Sequence, residues 1–489
     1  MRYYKNCFRE KDIIIFTHHS CVYWCSWYFG VQTKMLMKTI LVIGAGRSTS
    51  YMIHYLLDNS ITENWKVRVG DVSLELAQQK TVNHINAHAM VFDVNNVNQR
   101  EEEIQQADIV ISMLPAIMHI SVAKDCVRFK KHLVTASYVS KEMAALDEEA
   151  RAAGITMVNE CGLDPGIDHA SAMKVIDKIH EEGNELTLFK SYCGGLVAPE
   201  YNDNPWGYKF SWNPRNVILA GQGTAQYIEN GEYKYIPYNR LFTQIEKVTV
   251  NTNTGSTLMF EAYANRDSLS YRKIYNISAI PTMLRGTLRM PGYCKAWNVF
   301  VKLGLTDDSY SIDATDNLTY QQLMESYLPA GKKSCTQKLI DLMGTEMDAE
   351  TLYKIEWSGI LEDKKIDIEK IKMSSNYVSP AMILQDLLEE KWKLQEQDKD
   401  MIVMQHQFEY KNKQHAIKKI SSSLIVRGQN QTYTAMAKTV GLPLAIVAKR
   451  ILQNKITTTG VVIPVIKEIY EPLLFELELL GVKFNESEE

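Results

Sequence analysis

Residues 38–160 alternate between short apolar runs and segments whose apolar positions recur with helical spacing. The apolar runs, several of them rich in β-branched residues, predict strands at 39–43, 66–71, 89–93, 108–114, 132–136 and 155–159. Helices are predicted between them at 53–57, 74–82, 121–128 and 143–153. This alternation predicts a doubly wound parallel α/β sheet, in which ligands bind at the carboxyl ends of the strands.

A Gly-x-Gly turn follows the first predicted strand. Gly44 and Gly46 allow a tight turn that a pyrophosphate can approach closely, and the next helix offers free N–H groups at its positive end. Thr49 occupies the third small position of the dinucleotide fingerprint, so the turn is informative only within its strand–turn–helix context. Asp71 ends the second strand, where a carboxylate can bind adenosine ribose hydroxyls; the alternative is that it only opens a turn.

The pattern changes after residue 159, where a stretch containing Gly and Pro leads into another helix. Asp164 and Pro165 suit the N-cap and the first position of that helix. A helix that starts at the carboxyl edge of the sheet also faces bound nucleotide and substrate. Capping and ligand binding are both open interpretations for this pair.

The middle of the chain contains strand-like pieces at 186–193, 217–219, 233–236, 245–250 and 260–264. Residues 194–215 form a long connection, which we predict to be a binding loop or lid. Arg285 and Arg289 lie on one side of a predicted strand because its side chains alternate. Together with Arg266 they indicate recognition of carboxylates, although surface arginines are common.

Residues 309–397 have helical periodicity, with a possible capping box at Thr319 and Gln322 and a possible cap at Asp348. Residues 401–410 and 416–426 alternate like antiparallel strands, which we expect to return to the sheet of a second domain. Helices are predicted at 434–452 and 465–480.

The composition is that of an ordinary soluble globular protein. A chain of 489 residues predicts two or three domains, and it is 45% hydrophobic and 23% charged with a net charge of −4. The lack of a basic surplus argues against nucleic acid as a partner, and no run of about 18 apolar residues could span a membrane. The eight cysteines are expected to be free thiols in a cytoplasmic protein.

Residues 1–34 differ from the rest of the chain. They are rich in Tyr, Trp, Cys and His and lack the continuous apolar segment of a signal peptide. His18, His19, Cys21 and Cys25 lack a second ligand pair at finger spacing, so we predict no metal site. We interpret this segment as an extension from a start codon assigned too early.

Six sequence motifs add information about the family of the chain. They are VTASYVS at 134–140, NECGLDPGIDH at 159–169, SYCGGL at 191–196, NPWGYKFSW at 204–212, NRDS at 265–268 and RGTLR at 285–289. With these strings the chain resembles the saccharopine dehydrogenase family over about residues 37–482. The resemblance implies a Rossmann domain at 35–160 completed by 430–489, an inserted α/β substrate and dimerisation domain at 161–300 and 400–429, and a mostly helical domain at 301–399.

The resemblance also implies site residues. Those expected to bind the nucleotide are Gly44, Ala45, Gly46, Arg47, Ser48, Thr49, Asp71, Val72, Asp93, Val94, Leu114, Ala136, Ser137, Leu163 and Pro165. Those expected to bind substrate are Ser137, Tyr138, Asp164, Arg266, Thr287, Leu288 and Arg289. Saccharopine has three carboxylates, which arginines can pair with. A homodimer is also expected.

The implied reaction is reversible, NAD(P)-dependent oxidation of L-saccharopine to L-glutamate and L-2-aminoadipate 6-semialdehyde. Asp164 is our first candidate for the general acid or base and Tyr138 the second, while Cys161 is assigned no chemistry. NADP-using relatives place an arginine just after the second strand, whereas here Asp71 is followed by Val72. A carboxylate would repel the 2′-phosphate, so we predict a preference for NAD.

Two alternative functions differ in chemistry from saccharopine oxidation. A polyamine-forming synthase of the carboxynorspermidine or homospermidine type has the same fold, but its site would favour acidic residues over the arginines. A nucleotide-binding regulatory protein is the non-enzyme alternative, which the intact substrate strings argue against.

Overall fold

The computed structural model describes residues 37–252, 255–313, 317–374 and 377–488, so the predictions about residues 1–34 lie outside the described residues. The strands are β1 Lys38–Ile43, β2 Trp65–Asp71, β3 Ala87–Val91, β4 Ile109–Ser112, β5 His132–Thr135, β6 Thr156–Val158, β7 Glu185–Val197, β8 Ala225–Glu229, β9 Glu232–Ile236, β10 Ile245–Asn251, β11 Thr257–Ala264, β12 Thr282–Arg289, β13 Asp400–Lys411, β14 Ile417–Arg427, β15 Gly460–Val462 and β16 Asn485–Glu488. The helices are α1 Ser50–Asp58, α2 Leu74–Thr81, α3 Val97–Gln105, α4 His119–Phe129, α5 Lys141–Ala144, α6 Asp147–Ala153, α7 Ile167–Glu181, α8 Pro214–Ile218, α9 Tyr271–Ile274, α10 Tyr293–Lys302, α11 Tyr320–Tyr327, α12 Cys335–Met343, α13 Ala349–Ser358, α14 Ile368–Ser374, α15 Pro380–Lys391, α16 Ala435–Leu452 and α17 Lys467–Leu479.

The first sheet is parallel, with strand order β15-β6-β5-β4-β1-β2-β3. Its central strand β1 is buried on both faces: Ile40 and Val42 pack in a core with α1 and α16, whereas Leu41 and Ile43 pack in a core with α3 and α4. Burial on both faces explains why these strands are apolar runs without polar alternation. The predicted doubly wound α/β sheet is confirmed.

Some details of this sheet differ from the prediction. Strand β3 begins and ends two residues before the predicted 89–93, and the predicted helix at 143–153 is two helices, α5 and α6. Helix α3 was not predicted because it is mostly polar, and only Arg100 and Ile104 are buried. Strand β15 was also missed, since three residues at the edge of a sheet give no periodic signal.

The second sheet is mixed and contains β7 to β14 and β16. Its main path is β10-β11-β12-β7-β13-β14-β16, and the hairpin of β8 and β9 joins β12. Only β12 and β7 run parallel along this path, while β13 and β14 are the predicted antiparallel returning pair. A core shared with α1, α7, α16 and α17 covers one face, and the helices α10 to α15 cover the other.

The long connection predicted at 194–215 is present between β7 and α8, and its role as a binding loop remains a prediction, but the neighbouring strand bounds and the lid interpretation were wrong. Strand β7 continues to Val197, and residues 217–219 lie in α8 and a following 3₁₀ turn instead of a strand. The predicted lid is packed into the core, since Trp206, Tyr208 and Phe210 are buried against Trp392. Large aromatic side chains bury much apolar area and therefore stabilise a fixed loop.

The helical part agrees better with the sequence. Thr319 and Gln322 form both halves of a capping box at α11, and the Asp348 side chain caps α13. Thr434 caps α16, and α17 lies within its predicted range. The five described cysteines, Cys126, Cys161, Cys193, Cys294 and Cys335, are free thiols as expected. The boundaries of the three domains remain a prediction.

Candidate active site

The glycine turn after β1 has the geometry of a phosphate-binding turn. Gly44 has φ +102°, and a Cβ there would lie 2.9 Å from the Met113 carbonyl oxygen. A Cβ at Gly46 would meet nothing within 4 Å, so the space beside the turn is open. No described side chain caps the 3₁₀ turn Arg47–Thr49 or the start of α1. These free N–H groups and this open space fit a dinucleotide pyrophosphate.

Asp71 is bonded to this turn. Its Oδ2 accepts a hydrogen bond from Ala45 N at 2.7 Å, and its Oδ1 accepts one from Ser73 N at 2.9 Å. Asp71 therefore does more than open a turn, because it holds the second strand end against the glycine turn. Each oxygen keeps a lone pair that a ribose hydroxyl could use.

The other predicted nucleotide residues follow the carboxyl ends of neighbouring strands in the first sheet. Asp93 and Val94 follow β3, Leu114 follows β4, Ala136 and Ser137 follow β5, and Leu163 and Pro165 follow β6. Thr49 is buried, and its hydroxyl donates to the Gly46 carbonyl at 2.8 Å. Val72 is 74% exposed. The topology thus brings the predicted nucleotide residues to one edge of the sheet.

A cavity of about 640 Å³ lies beside this edge. Its walls combine the segment after β5, the end of β6 and the connection after β11, and they include Tyr138, Glu160, Arg266 and Arg285. Arg266 has φ +43° and places its guanidinium 6.0 Å from the centre of the Tyr138 ring. A strained backbone at a cavity wall is typical of a functional position.

Asp164 and Asp168 share one guanidinium. Arg285 Nη2 donates to Asp164 Oδ1 at 2.6 Å and to Asp168 Oδ2 at 2.7 Å, and Gly166 N donates to Asp168 Oδ1. Arg285 is therefore already paired with two carboxylates, which argues against the hypothesis that it binds a substrate carboxylate. The sequence could not predict this, because both partners come from a different element.

The two carboxyl groups have different pKa shifts. Burial raises the pKa of Asp164 to about 6, with Arg285 opposing and Asp168 reinforcing the shift. Burial also acts to raise the pKa of Asp168, but His169 and Arg285 outweigh it and hold that pKa below its usual value. Two neighbouring carboxyls whose pKa values are pushed apart are a common acid–base arrangement. Asp164, whose side chain is 16% exposed, is the one that reaches solvent.

The capping interpretation of Asp164 and Pro165 was wrong. Helix α7 begins at Ile167 with Gly166 as its N-cap, so Pro165 precedes the helix. Gly166 has φ +148°, and a Cβ there would collide with the Gly162 backbone. The turn at 162–166 therefore requires glycine, and it leaves the Asp164 side chain free to bond Arg285.

Glu160 and His169 form a buried polar cluster that the sequence analysis missed. Glu160 Oε2 accepts from the Tyr271 hydroxyl at 2.8 Å and lies 2.9 Å from His169 Nε2, and Val139 N donates to Oε1. Glu160 has φ +53°. Although burial acts to raise its pKa, these hydrogen bonds lower it overall. The sequence could have pointed to Glu160, because it is an acidic residue within the string at 159–169.

Arg289 has no carboxylate partner among the described residues. It is 4% exposed and is surrounded by the rings of Tyr208, Tyr263 and Tyr293, whose centres lie 5.2, 5.7 and 5.2 Å from Cζ. Nη1 donates to the Leu288 carbonyl, while Nε has no hydrogen-bond partner. Such a buried cation is suited to an anionic ligand.

The remaining predicted substrate residues differ in exposure. Tyr138 is 37% exposed, yet desolvation of its hydroxyl and the Asp164 carboxylate raise its pKa. Thr287 lies opposite Tyr263 on the neighbouring strand β11. Leu288 is fully buried, and its carbonyl oxygen already accepts a hydrogen bond from Arg289.

The described part of the chain contains no group of three or more His, Cys, Asp or Glu side chains that could hold a metal ion. None of its helices is long and apolar enough to cross a membrane.

Comparisons with known proteins give consistent matches. The family model for the saccharopine dehydrogenase NADP binding domain matches residues 40–158, and that for the saccharopine dehydrogenase C-terminal domain matches residues 162–482. The saccharopine dehydrogenase [NADP(+), L-glutamate-forming] of Pyricularia oryzae is 34% identical over 463 residues, covering 92% of this chain and 99% of that protein.

Longer relatives and a solved structure also match. The mitochondrial alpha-aminoadipic semialdehyde synthase of Rattus norvegicus is 36% identical over 474 residues, and the chain spans 48% of its length. The chain thus spans about half the length of its mammalian relatives. The apo saccharopine dehydrogenase (L-Glu forming) of Saccharomyces cerevisiae has a TM-score of 0.81 and 32% identity, covering 92% of this chain and all of that one.

Proposed function

Because the chain belongs to the saccharopine dehydrogenase family, we propose that it oxidises L-saccharopine reversibly to L-glutamate and L-2-aminoadipate 6-semialdehyde. The relative from Pyricularia oryzae is named for this glutamate-forming reaction. One observation carries the proposal beyond family membership: Arg289 is buried without a carboxylate partner among the described residues. A tricarboxylate substrate supplies the missing anion.

Asp164 acts as the general acid and base in this proposal. When bound, the nicotinamide supplies the hydride acceptor that turns the secondary amine into an imine. With a pKa of about 6, Asp164 is mostly ionised at neutral pH and can take the proton of the substrate ammonium. It can then return a proton to the amine that leaves when water adds to the imine. Tyr138 is the weaker candidate for base, because its pKa is raised and its hydroxyl stays protonated.

Substrate recognition is assigned to two arginines. Arg289 pairs with one substrate carboxylate inside the tyrosine cage, and Arg266 pairs with another at the cavity wall. Arg285 instead holds Asp164 in place. Ser137, Tyr138 and Thr287 provide neutral contacts between these charges, and the fully buried Leu288 supports Arg289 through its carbonyl oxygen.

We propose NAD as the preferred nucleotide, although the fungal relatives are named for NADP(+). Asp71 places a carboxylate beside the glycine turn, where it would repel a 2′-phosphate. Val72 is exposed at the position where an arginine could bind that phosphate. Comparing kcat/KM for the two nucleotides tests this preference, and a clear NADP advantage contradicts it.

The polyamine-forming alternative has less support. None of the relatives named above is a polyamine-forming enzyme. A diamine would also place positive charge near Arg266 and Arg289. A homodimer and a cytoplasmic location remain predictions, and the rat relative is named as mitochondrial.

A turnover assay tests the proposed function. We expect nicotinamide reduction that depends on saccharopine, with glutamate and the semialdehyde as products. Activity only with a diamine and an aldehyde would favour the polyamine alternative, and no turnover with either would favour a non-catalytic protein. Size-exclusion chromatography with light scattering tests the dimer.

A further inference from the structure

A buried histidine connects the ends of two strands beneath the predicted nicotinamide side of the site. His119, the first residue of α4, is 4% exposed. Its Nδ1 lies 2.8 Å from Ser112 Oγ at the end of β4, and its Nε2 lies 2.7 Å from Ser137 Oγ just after β5. The ring therefore bridges the carboxyl ends of two adjacent parallel strands, where ligands of such sheets bind.

The imidazole of His119 is neutral at physiological pH. Burial lowers its pKa to about 4, and a hydrogen bond with the Leu114 backbone opposes only part of this shift. A neutral imidazole has one N–H donor and one acceptor nitrogen. Ser112 and Ser137 therefore meet opposite ends of the ring, one facing the donor and the other the acceptor.

The surroundings indicate which nitrogen is the acceptor. Nε2 faces two hydroxyls, that of Ser137 and, at 3.4 Å, that of Thr135. The Thr135 oxygen already accepts a hydrogen bond from Ser137 N at 3.3 Å, so its own hydrogen is free to point toward Nε2. Two hydroxyls at Nε2, one of them with its hydrogen available, favour an unprotonated Nε2 and therefore a hydrogen on Nδ1.

We propose that His119 is a positioning residue for Ser137. Its Nε2 accepts a hydrogen bond from the Ser137 hydroxyl, and the Ser137 oxygen is thereby oriented to accept a hydrogen bond from an N–H group of the ligand. This inference rests on the proposed function for the identity of that ligand. The N–H donor is then either the nicotinamide carboxamide or the substrate ammonium. A carboxylate cannot be the partner of Ser137, because it would need the hydroxyl hydrogen that Ser137 already donates to His119.

Two variants of His119 distinguish a role in orienting Ser137 from a role in stabilising the fold. The amide of glutamine reaches the place of Nε2, whereas the shorter amide of asparagine reaches only the place of Nδ1. We expect His119→Gln to keep kcat/KM within about threefold and His119→Asn to lower it about tenfold, the usual effect of one lost hydrogen bond. In a Ser137→Ala background the two variants should be equal. Thermal unfolding checks that all of them fold.

Two further measurements identify the donor and are independent of turnover. If His119→Asn weakens nucleotide binding without substrate, measured by reduced-nucleotide fluorescence, the donor is the carboxamide; if only the KM for saccharopine rises, the donor is the ammonium. Histidine-selective ¹⁵N NMR should show an unprotonated Nε2, with His119→Gln identifying the signal. A protonated Nε2, or equal effects of the two His119 variants on a wild-type Ser137 background, overturns the inference. If the wild-type enzyme ignores saccharopine, the proposed function fails while the NMR result still decides the role of His119.

Discussion

Strand β12 carries two buried arginines whose surroundings are opposite. Arg285 and Arg289 are each 4% exposed. Arg285 bonds two carboxylates, whereas Arg289 is enclosed by tyrosine rings and pairs with no carboxylate among the described residues. Burying a charge is costly unless it is paired, so the cation of Arg285 is compensated within the protein, whereas we propose that the cation of Arg289 is compensated by a ligand.

The charges of Arg285 and Arg289 are therefore expected to serve different purposes. Arg285 belongs to a cluster that is complete in the free protein, and its effect on catalysis passes through Asp164. Arg289 has no carboxylate partner among the described residues, and in the proposed function its effect on catalysis passes through the substrate. The same substitution at the two positions should therefore have opposite effects on stability.

The largest expected effect is the loss of stability in Arg285→Met. Methionine fills similar space but leaves Asp164 and Asp168 close together without their shared cation. Breaking a buried ion pair in this way costs about 3–5 kcal/mol of unfolding free energy. Urea denaturation measures it, with Lys333→Met as control because the exposed pair of Lys333 with Asp341 is worth less than about 1 kcal/mol. A loss no larger than that of the control would show that the cluster is not structural.

Asp164→Asn should lower kcat by about 10³-fold, within the usual range for a general acid or base. As the proposed base, Asp164 must be ionised for saccharopine oxidation. Wild-type kcat/KM, which reports the groups of the free enzyme, should therefore fall as the pH drops through about 6, and this limb should be absent in the variant. Asp147→Asn is a suitable control, because Asp147 is a carboxylate at the cavity wall that bonds Arg151 and not Arg285. An unchanged acid limb in Asp164→Asn would assign the proton transfer to another group.

Arg289→Met should lower kcat/KM for saccharopine about 10²-fold, mainly through KM, since charge-assisted hydrogen bonds contribute about 1.5–3 kcal/mol each. Its unfolding free energy should stay unchanged or rise, because the variant removes a buried charge that has no carboxylate partner in the free protein. Steady-state kinetics and urea denaturation of the same preparation measure both. If Arg289→Met destabilises the protein as much as Arg285→Met does, the two arginines do not differ in their contribution to stability.

The sequence predicted the architecture well because the core of the first sheet is patterned locally. Strand β1 and the turn at Gly44 could be identified from residues adjacent in the chain. Helix α3 could not, since its surface is almost entirely polar. The aromatic residues at 204–212 were misassigned to a lid because burial against Trp392 depends on a distant element.

The site was less predictable, because its chemistry depends on partners rather than residue types. The sequence selected Asp164 as a candidate acid or base, but its pKa is raised by burial and lowered in part by Arg285, which lies far along the chain. Arg285 and Arg289 looked equivalent on one strand. His119 and His169 were missed because single histidines in apolar surroundings resemble ordinary core residues.

The smallest expected effect concerns the nucleotide edge, where Val72→Arg should shift the kcat/KM ratio about tenfold toward NADP. Like Arg289, the new arginine would be a cation with no carboxylate partner until a ligand arrives, but it would be exposed and so contribute less. Leu76→Arg adds the same charge to exposed α2 and should leave the ratio unchanged. If both variants shift the ratio equally, general attraction of the phosphate explains the result. If only Val72→Arg does, this position and the neighbouring Asp71 carboxylate decide which nucleotide binds.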